Sequence, residues 1–234
     1  MTNCRMLIAA VATLLCDGGS LLAAAPGVIS SETRTYEVVV DRAKSGQSTL
    51  TITRYSDGSE VVNTDAKVTV TWAVFTYVYE FHGQERWQRG RLEQLSSRAI
   101  DGGRRLSLSA TRTERGFTIV KSSGPQEASP DIQLTTNYWR QPSTMAAGSL
   151  NILDADNGTL YEARTELVGQ QELTIAGRRA TCNGLRLKGG VDVELWFDSA
   201  GYLVRQVGME DGHHLELRLV AVQQPTAALA DSSR

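Results

Sequence analysis

The chain has 234 residues, 24 Lys and Arg against 26 Asp and Glu, a net charge of −2 and 41% hydrophobic residues. So even a balance lacks the basic footprint of a nucleic-acid-binding protein. The length suffices to bury a sizeable core without disulfide or metal staples.

Residues 1–25 read as an export signal. Arg5 gives a positive start, Met6 to Leu15 form an apolar run, and Leu22-Ala23-Ala24-Ala25 supplies small residues for cleavage. Asp17-Gly18-Gly19-Ser20 interrupts the run well short of the roughly 20 apolar residues a spanning helix needs. The mature protein is therefore expected in the periplasm or secreted, with no transmembrane span. Cys4 and Cys16 leave with the leader, so the remaining Cys182 has no internal disulfide partner and is expected as a buried thiol. Leu15 before Cys16 is large where a lipid-attachment site has a small residue, which argues against an acyl anchor.

Strand signals follow from Arg34 onward, and residues 33–222 read as one all-β domain. Arg34 to Asp41 and Gln47 to Tyr55 are β-rich runs joined by a hairpin at Arg42 to Gly46. Lys67 to Phe81 is a single long run of β-branched and aromatic residues. Its apolar phase flips near Val74: Val68, Val70 and Trp72 occupy even positions, whereas Phe75, Tyr77, Tyr79 and Phe81 occupy odd ones. A β-bulge at Val74 would return the later aromatics to the core side; otherwise they line the opposite face and need a cover or a ligand. Arg91 to Ile100 carries Leu92, Leu95 and Ala99 at helix-like spacing, and Ser143 to Ser149 suits one short turn. Ser122 to Pro130 reads as a loop and residues 223–234 as a disordered tail. Strict alternation in Leu106 to Ala110 and His213 to Leu219 marks antiparallel strands wetted on one side. The expected fold is a large antiparallel curved sheet or incomplete barrel, with a β-sandwich as the alternative.

Candidate chemistry is sparse. His213 and His214 are adjacent, so a regular strand sends them to opposite faces, and zinc with His82, Asp211 or Glu85 would need a fold the sequence does not announce. Asp154-Ala155-Asp156-Asn157-Gly158 has glycine at the fifth position, out of register for a calcium loop, and reads as an Asx turn. Asp192 and Glu194, between Val191, Val193 and Leu195, look like the wet side of a strand. No G-x-S-x-G elbow or phosphate loop is present. No catalytic residue, metal or cofactor is assigned.

Several segments in order are familiar: Tyr36 to Asp41 with Gly46, Glu85 to Leu92, Asn137-Tyr138-Trp139, Leu153-Asp154 with Gly158, and Leu195-Trp196-Phe197-Asp198-Ser199-Ala200-Gly201-Tyr202-Leu203-Val204. Together they resemble an uncharacterised family of exported bacterial β proteins, a domain of unknown function, over roughly Tyr36 to Leu219. The resemblance implies an antiparallel curved sheet and transfers no catalytic residue. More loosely, the chain is similar to periplasmic carriers of lipoproteins and other acylated ligands, which hold an acyl chain in an incomplete barrel. An apolar concavity of that kind would be lined by Trp72, Phe75, Tyr77, Tyr79, Trp87, Trp139 and Trp196. The expected function is a non-enzymatic exported protein that binds an apolar or amphipathic ligand, such as a lipid. An envelope interaction or assembly factor and a cell-surface hydrolase are the alternatives.

Overall fold

The computed structural model describes residues 26–72, 75–121, 124–128, 131–142, 148–210 and 212–224, the side chains of Trp72, Glu127 and Ala128 excepted. The leader-like segment, Cys16, Ala73 and Val74, most of Ser143 to Ser149, Asp211 and most of the C-terminal tail lie outside the described residues.

Among the described residues fifteen strands form one sheet. They are β1 (Val28–Val40), β2 (Ala43–Tyr55), β3 (Ser59–Trp72), β4 (Phe75–Gln88), β5 (Arg91–Asp101), β6 (Arg104–Thr113), β7 (Gly116–Lys121) and β8 (Gly124–Ala128). The second half comprises β9 (Leu134–Thr135), β10 (Ser149–Leu153), β11 (Leu160–Ile175), β12 (Arg178–Gly189), β13 (Val193–Phe197), β14 (Leu203–Glu210) and β15 (His213–Gln223). Strands adjacent in sequence are adjacent in the sheet except β8 and β9, which form its two edges, and β1 and β15 join the halves at the centre, as in Val38 opposite Leu217. Every pairing is antiparallel except the short β9–β10 ladder. The outer strands β8 and β9 do not pair, so this is a large curved sheet that is not closed into a barrel.

Hairpin geometry explains where sequence patterns mislead. Lys67 to Phe81 is two strands, not one: β3 and β4 pair antiparallel from Ser59 opposite Gln88 to Trp72 opposite Phe75. In a two-residue hairpin an even-numbered residue always faces an odd-numbered one, so Val68 meets Tyr79 and Val70 meets Tyr77. The phase flip is the mark of chain reversal, and no bulge is needed to return the aromatics to the inner face. Conversely, Arg91 to Ile100 is strand β5, and its helix-like spacing comes from a real bulge. Trp87 faces Leu92 and Arg86 faces Gln94, which leaves Glu93 as the extra residue and puts Leu92 and Leu95 on one face. Ser122 to Pro130 contains β8, paired to β7 through Lys121 and Gly124.

The first hairpin is tighter than Arg42 to Gly46. Asp41 and Arg42 occupy its two central positions with φ of 47° and 71°, the left-handed pair of a type I′ turn. Gly46 then lets β2 press against β3, since a Cβ there would sit 2.8 Å from the Val68 Cα and closer still to the Lys67 carbonyl oxygen.

The sheet rolls around its own C-terminal edge. Ile132, Leu134, Trp139, Ile152 and Leu153, from β9, β10 and the flanking chain, are buried in one core with Leu92, Leu95, Leu108, Phe117 and Ile119 of β5 to β7. Polar links cross the same gap. Glu85 of β4 is fully buried and accepts hydrogen bonds from Trp87 Nε1 (2.7 Å), Thr135 Oγ1 (2.8 Å) and Asn137 Nδ2 (2.5 Å). Burial pushes the Glu85 carboxyl up, and the Asn137, Thr135 and Trp87 bonds pull against that. Ser97 donates to the Ala155 carbonyl. Glu85→Ala strands three donors in the interior and is expected to lower the unfolding free energy in urea by about 3 kcal/mol or more. A loss below about 1 kcal/mol would show that the rolled edge does not depend on this carboxyl.

Candidate functional site

Rolling leaves a cavity of 870 Å³ between the inner faces of the central strands and the tucked edge. Strand parity builds its walls. Val38 on β1, Leu50 on β2, Ala66 and Val68 on β3, Phe81 on β4 and Leu217 on β15 all point inward and are lining residues. The His82 and Asp65 side chains, paired at 2.5 Å, alternate to the exposed outer face.

One end is sealed. Trp87 meets Trp139 edge to face at 5.8 Å, and Trp139 stacks on Tyr202 at 6.2 Å. The guanidiniums of Arg34 and Arg54 lie 4.7 and 5.1 Å from the Tyr202 ring centroid. Arg34 is buried and charge-paired with Glu32 at 2.7 Å and Asp198 at 2.8 Å. Burial works to lower its pKa, and the hydrogen bonds to Glu32 and Asp198 outweigh it, so the net shift is upward. Tyr36 donates to the Leu203 carbonyl at 2.8 Å. Asp198 also caps its own turn, accepting from the Ala200 and Tyr202 amides at 3.0 and 2.9 Å.

The other end is polar. The β3–β4, β5–β6 and β14–β15 hairpins and the β12–β13 connection bring Tyr77, Asp101, Glu210 and Asp192 to the lining, and the turn after β10 adds Asp154 and Asp156. Tyr77 donates to Asp101 at 2.8 Å, Tyr79 to both oxygens of Asp156 at 3.0 and 2.9 Å, and Tyr161 to Asp154 at 3.3 Å. Asp154 is the Asx turn expected, its Oδ1 accepting from the Asp156 and Asn157 amides at 2.8 and 3.2 Å. Gly158 closes that turn at φ 73°, against Leu108 and Ile119. Burial raises the Asp156 pKa to about 7, with Asp154, Asp101 and Glu210 adding to the rise and the Tyr79 bond opposing it. Burial, then the nearby Asp156 charge, likewise raise the Tyr79 phenol.

The seven aromatics expected to line a concavity do not share one surface. Tyr77 and Tyr79 line the cavity. Phe75 is 60% exposed beyond its rim, and the Trp72 side chain lies outside the described residues. Trp87 and Trp139 belong to the buried core and not to the cavity wall. Trp196 alternates with the inward Leu195 and Phe197, packs against Gly184 on the other face, and donates to Glu194 at 2.9 Å. Sequence reasoning missed Thr64, Asp101, Asp156, Tyr138 and Tyr161 as wall residues. Only the turn around Asp154 had a local signal, and nothing near Tyr79 points to a partner 77 positions away.

The three histidines do not converge: His213 pairs with Asp41 at 2.6 Å by the cavity rim, His82 stands on the outer face, and His214 is exposed. Cys182 is buried. Among the described residues no three His, Cys, Asp or Glu side chains are grouped to hold a metal ion, and no helix is long and apolar enough to cross a membrane.

A family model described as a domain of unknown function, DUF6134, matches residues 36–220. No curated protein matches the chain. Among solved structures, the β-barrel-like protein of domain of unknown function DUF1849 from Brucella abortus superposes with a TM-score of 0.61 at 9% identity. The match covers 84% of this chain and 98% of that one, and it shows a shared fold.

Asp156 gives a pH test. A carboxyl whose pKa is raised in the folded state weakens folding once it ionises. That cost is absent below the unfolded value of about 4, grows as pH rises toward 7, and is complete above it. Asp156→Asn keeps an acceptor for Tyr79 and removes the ionisation. Its melting temperature, relative to the parent, is expected to rise between pH 4 and pH 8 by about 2–4 °C for each kcal/mol relieved. A difference independent of pH would refute the assignment.

Proposed function

The chain belongs to the DUF6134 family, and we propose that it is a non-enzymatic exported protein that holds an apolar or amphipathic ligand inside its rolled sheet. The observation that carries this reading is the 870 Å³ cavity, walled by apolar side chains of the central strands and bearing a cluster of tyrosines and carboxylates where the hairpins and the turn after β10 meet. That volume falls in the range of small-molecule sites, about 300–1,000 Å³. Ten buried methylenes at about 0.8 kcal/mol each contribute about 8 kcal/mol, enough for useful affinity after association costs. Such binding needs no catalytic group. Residues 1–25 support a periplasmic or secreted location.

An envelope interaction or assembly role draws on a different feature. Among the described residues strand β8 has a partner on one side only, which leaves an edge able to accept a strand from another protein. The cavity favours the ligand-binding role.

Two measurements test it. Native mass spectrometry of the mature protein from its own host's envelope fraction is expected to show a bound species of lipid mass that is lost on denaturing extraction. Ala66→Trp fills the middle of the wall and is expected to weaken binding of a fluorescent acyl probe about thirtyfold, the equivalent of two to three methylenes of lost burial. Unchanged probe affinity in a folded Ala66→Trp variant would place the ligand elsewhere.

A further inference from the structure

The polar end of the cavity has a chemistry more specific than amphipathic. Asp101, Asp154, Asp156, Asp192 and Glu210 line it, against Arg104 and His213. Arg104 is already paired with Asp101, and His213 with Asp41. Four tyrosines, Tyr77, Tyr79, Tyr138 and Tyr161, line the same end. Carboxylates and aromatic rings in one partly desolvated mouth favour a cation over an anion, through Coulomb attraction and through the negative faces of the rings.

An independent feature lies deeper. Thr64, only 5% exposed, is on the cavity wall, and its hydroxyl has no hydrogen-bond partner. A buried hydroxyl without a partner is costly, so an oxygen or nitrogen on a ligand would be held there. Thr64 is four residues along β3 from Val68, which faces Tyr79. That places it about 13 Å along the strand from the position that faces Tyr79, with Ala66, Val68, Leu50 and Phe81 on the lining nearby.

We infer that the ligand is a single-chain amphiphile with a cationic nitrogen head. The head sits among the four tyrosines and their carboxylates, the chain follows the apolar wall, and a hydrogen-bonding atom on the chain meets Thr64. The inference rests on the ligand-binding reading above and narrows it to one headgroup chemistry.

The test titrates the mature protein with dodecylamine, dodecanol and dodecanoate below their aggregation concentrations by calorimetry. Dodecylamine is expected to bind about tenfold more tightly than dodecanol, with dodecanoate weakest, and rising salt is expected to shrink the gap. In Asp156→Asn the ratio between amine and alcohol should fall to within about threefold. In Thr64→Val, ω-hydroxydodecylamine should lose the advantage over dodecylamine that it has in the parent. Equal binding of all three chains, or tighter binding of dodecanoate, overturns the cationic headgroup and leaves the cavity reading standing. Binding of none of them overturns the cavity reading, and this inference with it.

Discussion

An unclosed sheet has no ladder of hydrogen bonds to fix its curl, so something buried inside the curl must do it. Here that role falls to Glu85. Its carboxyl projects from the inner face of β4 into a fully buried site and accepts from Trp87 on its own strand and from Thr135 and Asn137 on the far edge. A carboxyl in that position is costly without its donors, and two of the three, Thr135 and Asn137, reach it only when the far edge is tucked against β4. The cost of leaving Glu85 unsatisfied therefore opposes unrolling. The apolar packing of Ile132, Leu134 and Ile152 against Leu95, Leu108 and Ile119 adds non-directional attraction, while Glu85 sets the register.

From that constraint the asymmetry of the cavity follows. The chain carrying Asn137 also carries Tyr138, on the lining, and Trp139, in the core beside Trp87. The turn after β10 is drawn in on the same side and sets Asp156 against Tyr79. Arg34, Asp198 and the Leu203 carbonyl tie β1 to the β13–β14 hairpin, so the first strand and the late aromatic hairpin fix each other.

Much of the fold was legible in the residues because strand alternation is local. The odd and even faces of β3 and β4, the wet faces of β6 and β15, and the turn at Asp154 follow from near neighbours. The errors share a cause as well. A phase flip marks either a bulge or a reversal, and only pairing decides which: near Val74 it was the reversal, and at Glu93 a bulge imitated helical spacing. The site was less legible. Trp87, Trp139 and Trp196 signal burial without saying on which side of the sheet, and two of them pack edge to face in the core while the third packs on Gly184.

The sequence by itself determined the class: one all-β domain with alternating faces and short, glycine- and Asx-rich turns, because strand periodicity and turn chemistry are properties of adjacent residues. Tertiary structure alone decided that Tyr79 meets Asp156, that Glu85 meets Asn137, and that Thr64 faces a cavity instead of a partner. Those contacts join strands far apart in the chain, and which side chains meet depends on how far the sheet curls before its edge is caught. That is set by the summed twist and packing of many strands, a quantity no local window of residues contains.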